Sequence, residues 1–159
     1  MNIIEVDESF AEIVGEIHSI AWKQAYENML PIEYVIQDTA EKRRQECLDT
    51  LNRQRGQYYL ANVNNINIGI MKTKIKSAEA VCEIDSIYIL SEYQHKGYGK
   101  ELLDYIKHKY RGYKIILWTL EINQAARLFY ERNHFRLTEQ TRVIDRGSVF
   151  IQVQYEAKV

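Results

Sequence analysis

Residues 94–100 read Gln94-His95-Lys96-Gly97-Tyr98-Gly99-Lys100, a polar loop between the apolar run Val81 to Leu90 and a stretch whose apolar residues fall at helical spacing. Glycines at such a junction let the backbone close around an anion and leave free N–H groups pointing at it. Two phosphate loops do not fit. A dinucleotide fingerprint needs a third glycine, but Gly99 is followed by Lys100, Glu101 and Leu102. A P-loop, G-x-x-x-x-G-K-[ST], needs glycine where Gln94 stands and a hydroxyl where Glu101 stands. What remains is Q-x-x-G-x-G, a cradle suited to a pyrophosphate, with Lys96 or Lys100 adding charge. The alternative is a turn whose glycines serve geometry alone. Just upstream, strand alternation puts Glu83, Asp85, Ile87 and Ile89 on one face and Ile84, Ser86 and Tyr88 on the other. Two carboxylates on one face are unusual for a buried strand.

The elements that position these residues follow from periodicity and punctuation. Ile3 to Val6 reads as a strand; Phe10, Ile13, Val14, Ile17 and Ala21 form a helical stripe, with Asp7 or Ser9 as cap and an end near Asn28 ahead of Pro31. A charge-rich helix covers Ala40 to Arg55, where Gly56 punctuates it. Tyr58 to Val63 and Asn67 to Ile75 are strands of a hairpin, and Val81 to Leu90 is a third strand. After the glycine loop comes a helix with Leu102, Leu103, Ile106 and Tyr110 on its core face. Lys114 to Glu121 is a strand, Gln124 to Asn133 a short helix, and Arg136 to Ile144 with Ser148 to Glu156 a hairpin turning at Asp145-Arg146-Gly147. The order β, α, α, β, β, β, α, β, α, β, β predicts an α+β sandwich. Its sheet should be mixed and mostly antiparallel, with one crossover through the glycine-loop helix to a parallel neighbour.

Composition sets the outer limits. The chain has 159 residues, 46% of them hydrophobic, which suits one domain over residues 1–159. With 21 basic and 22 acidic residues the net charge is −1, so no global field draws nucleic acid or anionic lipid. No apolar stretch suggests a membrane span or signal region, and a cytoplasmic protein is expected. Cys47 and Cys82 lack metal or disulfide spacing and read as structural free thiols, so no metal is expected.

The loop Gln94 to Gly99, following Ile87-Tyr88-Ile89, resembles the coenzyme A loop of the GNAT superfamily of N-acetyltransferases. A second segment agrees: Asn123-Gln124-Ala125-Ala126-Arg127-Leu128-Phe129-Tyr130, running to Phe135, is similar to that family's later motif. Trp22, Ala25, Tyr26, Leu30 and Pro31 resemble the acceptor-side helices of bacterial members, including those similar to polyamine and small-amine acetyltransferases. One departure is that Asn133-His134 precede Phe135 where members often carry glycine, so a left-handed residue there must be Asn or His.

The resemblance implies the GNAT-like acyl-CoA N-acyltransferase fold, with acetyl-CoA as co-substrate and direct attack by an amine on the thioester. That reaction needs a neutral amine, a donor for the developing oxyanion and a proton for the departing thiolate. Tyr130 matches the family's tyrosine as the acid, with Asn123 capping its helix and reaching the cofactor. Glu83 occupies the place where histone-acetylating relatives carry their base and is the first candidate, Asp85 the second; both could instead be solvated or salt-bridged. Backbone N–H groups after a bulge near Ile87 to Ile89 would serve the oxyanion, a feature that sequence cannot show. The cofactor set is Ile87, Tyr88, Ile89, Gln94, His95, Lys96, Gly97, Tyr98, Gly99, Lys100, Asn123 and Tyr130. Trp22 and Tyr26 are either core or one wall of an acceptor pocket.

The remaining histidines read as structural first: His108 exposed, His95 contributing its backbone, His18 beside the acceptor-side helix. The partner expected is a small-molecule or peptide amine, the chain being a monomer or homodimer. Glu27, Glu33 and Asp38 lean toward a polyamine or other cationic amine. Two other classes compete: a coenzyme-A-binding module without catalysis, which would not need Tyr130 or Glu83, and a nucleotide-binding regulator, which lacks its fingerprints.

Overall fold

The computed structural model describes residues 1–158. Strand β1 (Asn2–Glu5) leads through a one-turn 3-10 helix into α1 (Ala11–Tyr26). Asp7 caps that entry, its carboxylate accepting the Ser9 N–H at 2.9 Å. Along α1, Val14, Ile17, His18, Ala21 and Trp22 recur at helical spacing and are buried. Pro31 then starts α2 (Ile32–Val35), an element absent from the sequence reading because its 4 residues are too few to show a period. Helix α3 (Ala40–Asn52) begins at Thr39, whose hydroxyl accepts the Lys42 N–H at 3.2 Å. It crosses α1 at Gly15, where a Cβ would stand 2.5 Å from the Ala40 carbonyl oxygen. That close approach is why a glycine sits inside a helix despite its cost there.

Strands β2 (Gln57–Val63) and β3 (Ile66–Lys76) form a hairpin turning at Asn64 and Asn65. Both have positive φ, 51° and 64°, as the tight hairpin turn that follows strand twist requires. Then come β4 (Val81–Ile89), α4 (Tyr98–Lys109), β5 (Lys114–Leu120), α5 (Gln124–Arg132), β6 (Arg136–Asp145) and β7 (Val149–Lys158). The 7 strands make one sheet in the order β1-β2-β3-β4-β5-β7-β6. Only β4 and β5 are parallel, joined by α4 as the expected crossover. The fold is the mixed, mostly antiparallel α+β sandwich anticipated from the order of elements.

Helices cover both faces. Leu102, Leu103 and Ile106 of α4 bury completely against Met71, Cys82, Ile115 and Leu117, while Phe129 and Ala126 of α5 pack beside them. On the opposite face α1 and α3 cover Tyr58, Leu60 and Ile70 through Val14, Ile17 and Cys47. Cys47 and Cys82 are buried free thiols. No helix among the described residues is long and apolar enough to cross a membrane.

One irregularity redirects the strand that matters most. Lys72 pairs with Ser86 and Thr73 with Ile84, so Asp85 is an extra residue, a β-bulge. Simple alternation is therefore corrected. Ile87 and Ile89 join Cys82 and Ile84 on the face covered by α4. Tyr88 turns to the α1 side, and it lines the same cavity as Glu83 and Asp85.

Candidate active site

Strands β4 and β5 pair only where Val81 to Ile84 face Lys114 to Leu117. Beyond that point they part, and a cleft of about 560 Å³ opens between them, floored by Ile87, Tyr88 and Ile89 and walled by Trp118, Asn123 and Tyr130. The Leu90 N–H bonds back to Ile68 on β3 at 2.9 Å. By the two-residue alternation of a strand, Ile87 and Ile89 then present their N–H and C=O groups to the gap. The Ile89 carbonyl is taken up there by the Gln94 side-chain amide at 2.8 Å, which fastens the glycine loop to the strand.

The loop leaves its backbone donors free. His95 and Gly97 take positive φ, 59° and 89°, and α4 starts directly after Gly97. Among the described residues, no acceptor takes up the backbone N–H groups from His95 to Lys100. They surround a helix N-terminus, where the helix dipole adds positive potential. A Cβ on Gly97 would meet nothing within 4 Å, so the space before the loop is open, whereas one on Gly99 would stand 3.1 Å from the Phe129 ring.

Every cofactor residue expected from sequence lines this cleft except Lys96. The Lys96 ammonium donates to the Glu92 carbonyl at 2.9 Å and sits over the Tyr93 ring. Lys100 is paired with Asp104. Both lysines of the loop are thus engaged within the chain, whereas its backbone N–H groups are free among the described residues. Asn123 caps α5, accepting the Ala126 N–H at 3.1 Å. Tyr130, 8% exposed, packs on Phe129, Phe135 and Tyr155. Its hydroxyl has no hydrogen-bond partner among the described residues, and burial, with Tyr26 adding, pushes its pKa up, so it stays protonated. His134 takes the left-handed conformation before Phe135, φ 65°.

Behind the cleft lies a second cavity of about 150 Å³ between α1, β4, β5 and the β6–β7 hairpin. The two cavities share Tyr26, Ile84, Asp85, Ser86, Tyr88 and Trp118, so they meet where the strands part. Tyr26 belongs to both and Trp22 only to the second. Of the two candidate bases, Glu83 lines the second cavity and Asp85 lines both. Their surroundings differ. Asp85 contacts Lys74 at 2.6 Å and Lys72 at 3.2 Å. Burial would raise its pKa, but Lys72 and Lys74 together hold it below the usual value. Among the described residues Glu83 makes neither ion pair nor side-chain hydrogen bond.

The cavity also brings in Arg43, Glu46, Arg142 and Arg146, which sequence did not mark, and His18, which it placed beside the acceptor-side helix. Glu46, on α3, contacts Lys72 at 2.7 Å and Arg43 at 2.9 Å; burial opposes its charge, yet the two cations bring its pKa down to about 2. Arg43 also meets Asp38 at 2.7 Å and lies over the Trp22 ring. Arg142 and Arg146 reach in from the tail hairpin. Alternation along β6 puts Arg142 and Ile144 on one face, and Arg146 follows in the turn just past the strand. His18 is fully buried, stacks 5.5 Å from the Tyr88 ring, and has no hydrogen-bond partner on either nitrogen.

Burial first, and then the Arg43 charge, push the His18 pKa down to about 3. Between the ordinary imidazole pKa, about 6.5, and that value the unfolded chain binds a proton that the folded chain refuses, so stability must fall as pH falls. The expected slope is about 1.4 kcal/mol per pH unit. Urea unfolding at stepped pH should show this loss between pH 6.5 and 5, above the range where carboxylates contribute, and His18→Phe should flatten it. An unchanged slope in the variant would assign the loss to other groups.

The Acetyltransferase (GNAT) family model matches residues 16–135. The crystal structure of PaiA N-acetyltransferase from Thermoplasma acidophilum in complex with coenzyme A superposes with a TM-score of 0.79, at 25% identity over 100% of both chains. The probable N-acetyltransferase Rv2775 of Mycobacterium tuberculosis is 36% identical over 59 residues, 37% of this chain and 34% of that protein. An uncharacterized N-acetyltransferase in the pepI 3′ region of Lactobacillus delbrueckii subsp. lactis is 30% identical over 106 residues, covering 59% and 61%. The chain thus spans about a third and about three fifths of the lengths of these two curated relatives. The glycine loop, the parted strands and the match over most of its length agree: this chain belongs to the GNAT acetyltransferase family.

Proposed function

We propose that the protein transfers an acetyl group from acetyl-CoA to an amine by direct attack. The observation that carries this reading is the junction of the two cavities at the parting of β4 and β5. A module that only bound coenzyme A would need the first cavity. A second one, opening onto the same backbone from the other side, is what a bimolecular transfer requires.

The pyrophosphate of acetyl-CoA rests on the free N–H groups from His95 to Lys100, and its amide-bearing arm runs along the groups that Ile87 and Ile89 present to the gap. The thioester carbonyl is polarised by β4 N–H groups beyond the Asp85 bulge, which are fixed before the reaction and need no reorganisation. Glu83 takes the proton of the incoming amine, directly or through water; Asp85 is the second choice, because two lysines already stabilise its anion. As the tetrahedral intermediate collapses, the Tyr130 hydroxyl supplies a proton to sulfur. The burial that weakens this phenol as an acid also makes a thiolate leaving into the same cleft more basic, which keeps the two matched.

The acceptor is an amine reaching the second cavity. The lean toward a polyamine or other cationic amine rested on Glu27, Glu33 and Asp38. None of these lines either cavity, and Asp38 is engaged by Arg43. The acids that do line it are Glu46, Glu83 and Asp85.

Gly97→Val should leave the fold intact but remove acetyl-CoA binding in calorimetry, since a branched side chain would occupy the open space before the loop and resist its positive φ. Unchanged affinity would refute the loop's role. Tyr130→Phe should lower kcat by roughly 10- to 10⁴-fold with the acetyl-CoA dissociation constant unchanged. Glu83→Gln should lose rate most at neutral pH and recover as free amine becomes abundant at higher pH. If Tyr130→Phe instead lost acetyl-CoA affinity with kcat intact, Tyr130 would be a packing residue.

A further inference from the structure

The charges lining the second cavity do not cancel internally, and those left over describe the acceptor. Glu46 is neutralised by Arg43 and Lys72, and Asp85 by Lys72 and Lys74. His18, buried among them, is neutral. Three charged groups remain without an ionic partner among the described residues: Glu83 on β4, and Arg142 and Arg146 on the opposite, hairpin wall.

Both arginines are held in place by neutral contacts. Arg142 stacks on the Trp118 ring, 4.4 Å from its centroid, and spends its Nε–H on the Gln152 amide oxygen at 2.7 Å. Its terminal nitrogens stay available. Arg146 donates to the Tyr34 hydroxyl at 3.3 Å. A guanidinium held over an aromatic ring, with its terminal nitrogens unpaired among the described residues, is preorganised for a carboxylate or phosphate. A polycation entering here would find one free carboxylate and two unpaired arginines.

We propose that the acceptor is an amine that also carries an oxyanion, its amino group directed to Glu83 and the parted strands and its anionic group held by Arg142 and Arg146. This rests on the acetyl-transfer reading above. A cavity of about 150 Å³ suits a compact molecule, or the end of a larger one, of this zwitterionic kind.

The test compares amines that differ only in the anion: 4-aminobutyrate against butylamine for carboxylate, phosphoethanolamine against ethanolamine for phosphate, with spermidine as the polycation. Coenzyme A release and calorimetric binding to the coenzyme-A-saturated protein are both read. At least one anionic member should exceed its anion-free partner by roughly 10- to 100-fold in kcat/KM or affinity, the usual worth of charge-assisted hydrogen bonds. Which pair shows it identifies carboxylate or phosphate. In Arg142→Gln and Arg146→Gln that ratio should collapse while acetyl-CoA affinity, read separately, stays in place. No preference in either pair, a preference for spermidine, or a ratio unchanged in both variants overturns the proposal. Absence of acetyl-CoA binding would instead remove the transfer reading on which it stands.

Discussion

The structure depends on two neighbouring parallel strands that stop pairing. A strand inside a sheet normally satisfies its backbone on both edges, and an unpaired buried edge is costly. Here β4 and β5 pair through Ile84 and Leu117 and then diverge, although both continue as strands, held from outside by β3 and β7. The opening exposes backbone donors and acceptors in the middle of the molecule, where an amide-bearing ligand can complete the sheet. The bulge at Asp85 sits at the fork. It shifts the phase of β4 so that Ile87 and Ile89 cover the α4 core while Tyr88 faces the second cavity, giving one strand a role on both sides.

The second cavity is walled by a chain of ion pairs running from Asp38 through Arg43, Glu46 and Lys72 to Asp85 and Lys74. Lys72 is only 5% exposed. Pairs this deep lose much of their attraction to desolvation, so they are weak evidence of stability. Their clearer effect is positional. They tie α3 to β3 and β4 and fix the wall of the second cavity. They also occupy every carboxylate lining it except Glu83, which has no ionic partner among the described residues.

Much of this was legible in the sequence. Periodicity and turn residues located the long helices and all the strands, and the interrupted glycine pattern at Gly97 and Gly99 marked the loop that opens α4 beside the cleft. The motif residues Asn123 and Tyr130 fell into the same cleft. What sequence left out is instructive. A bulge carries no composition signal, so the face assigned to Ile87, Ile89 and Tyr88 was reversed. The one-turn α2 was too short for periodicity. Charge partners distant in the chain, such as Glu46 with Lys72, and Arg142 over Trp118, exist only once α3 and the tail hairpin have been brought to the sheet. Glu27 and Glu33, close to the first helices in sequence, are exposed and lie outside the cavity, whereas Glu46, farther along the chain, lines it.

If the parted strands and the glycine loop together hold the acyl donor, amide NMR of the nitrogen-15-labelled protein titrated with acetyl-CoA, with hydrogen exchange read on the same peaks, will show it. Large shifts and new protection are expected at Ile87, Ile89 and from His95 to Lys100, with β1 and β2 unaffected. Shifts confined to other elements, with those amides still exchanging freely, would contradict it.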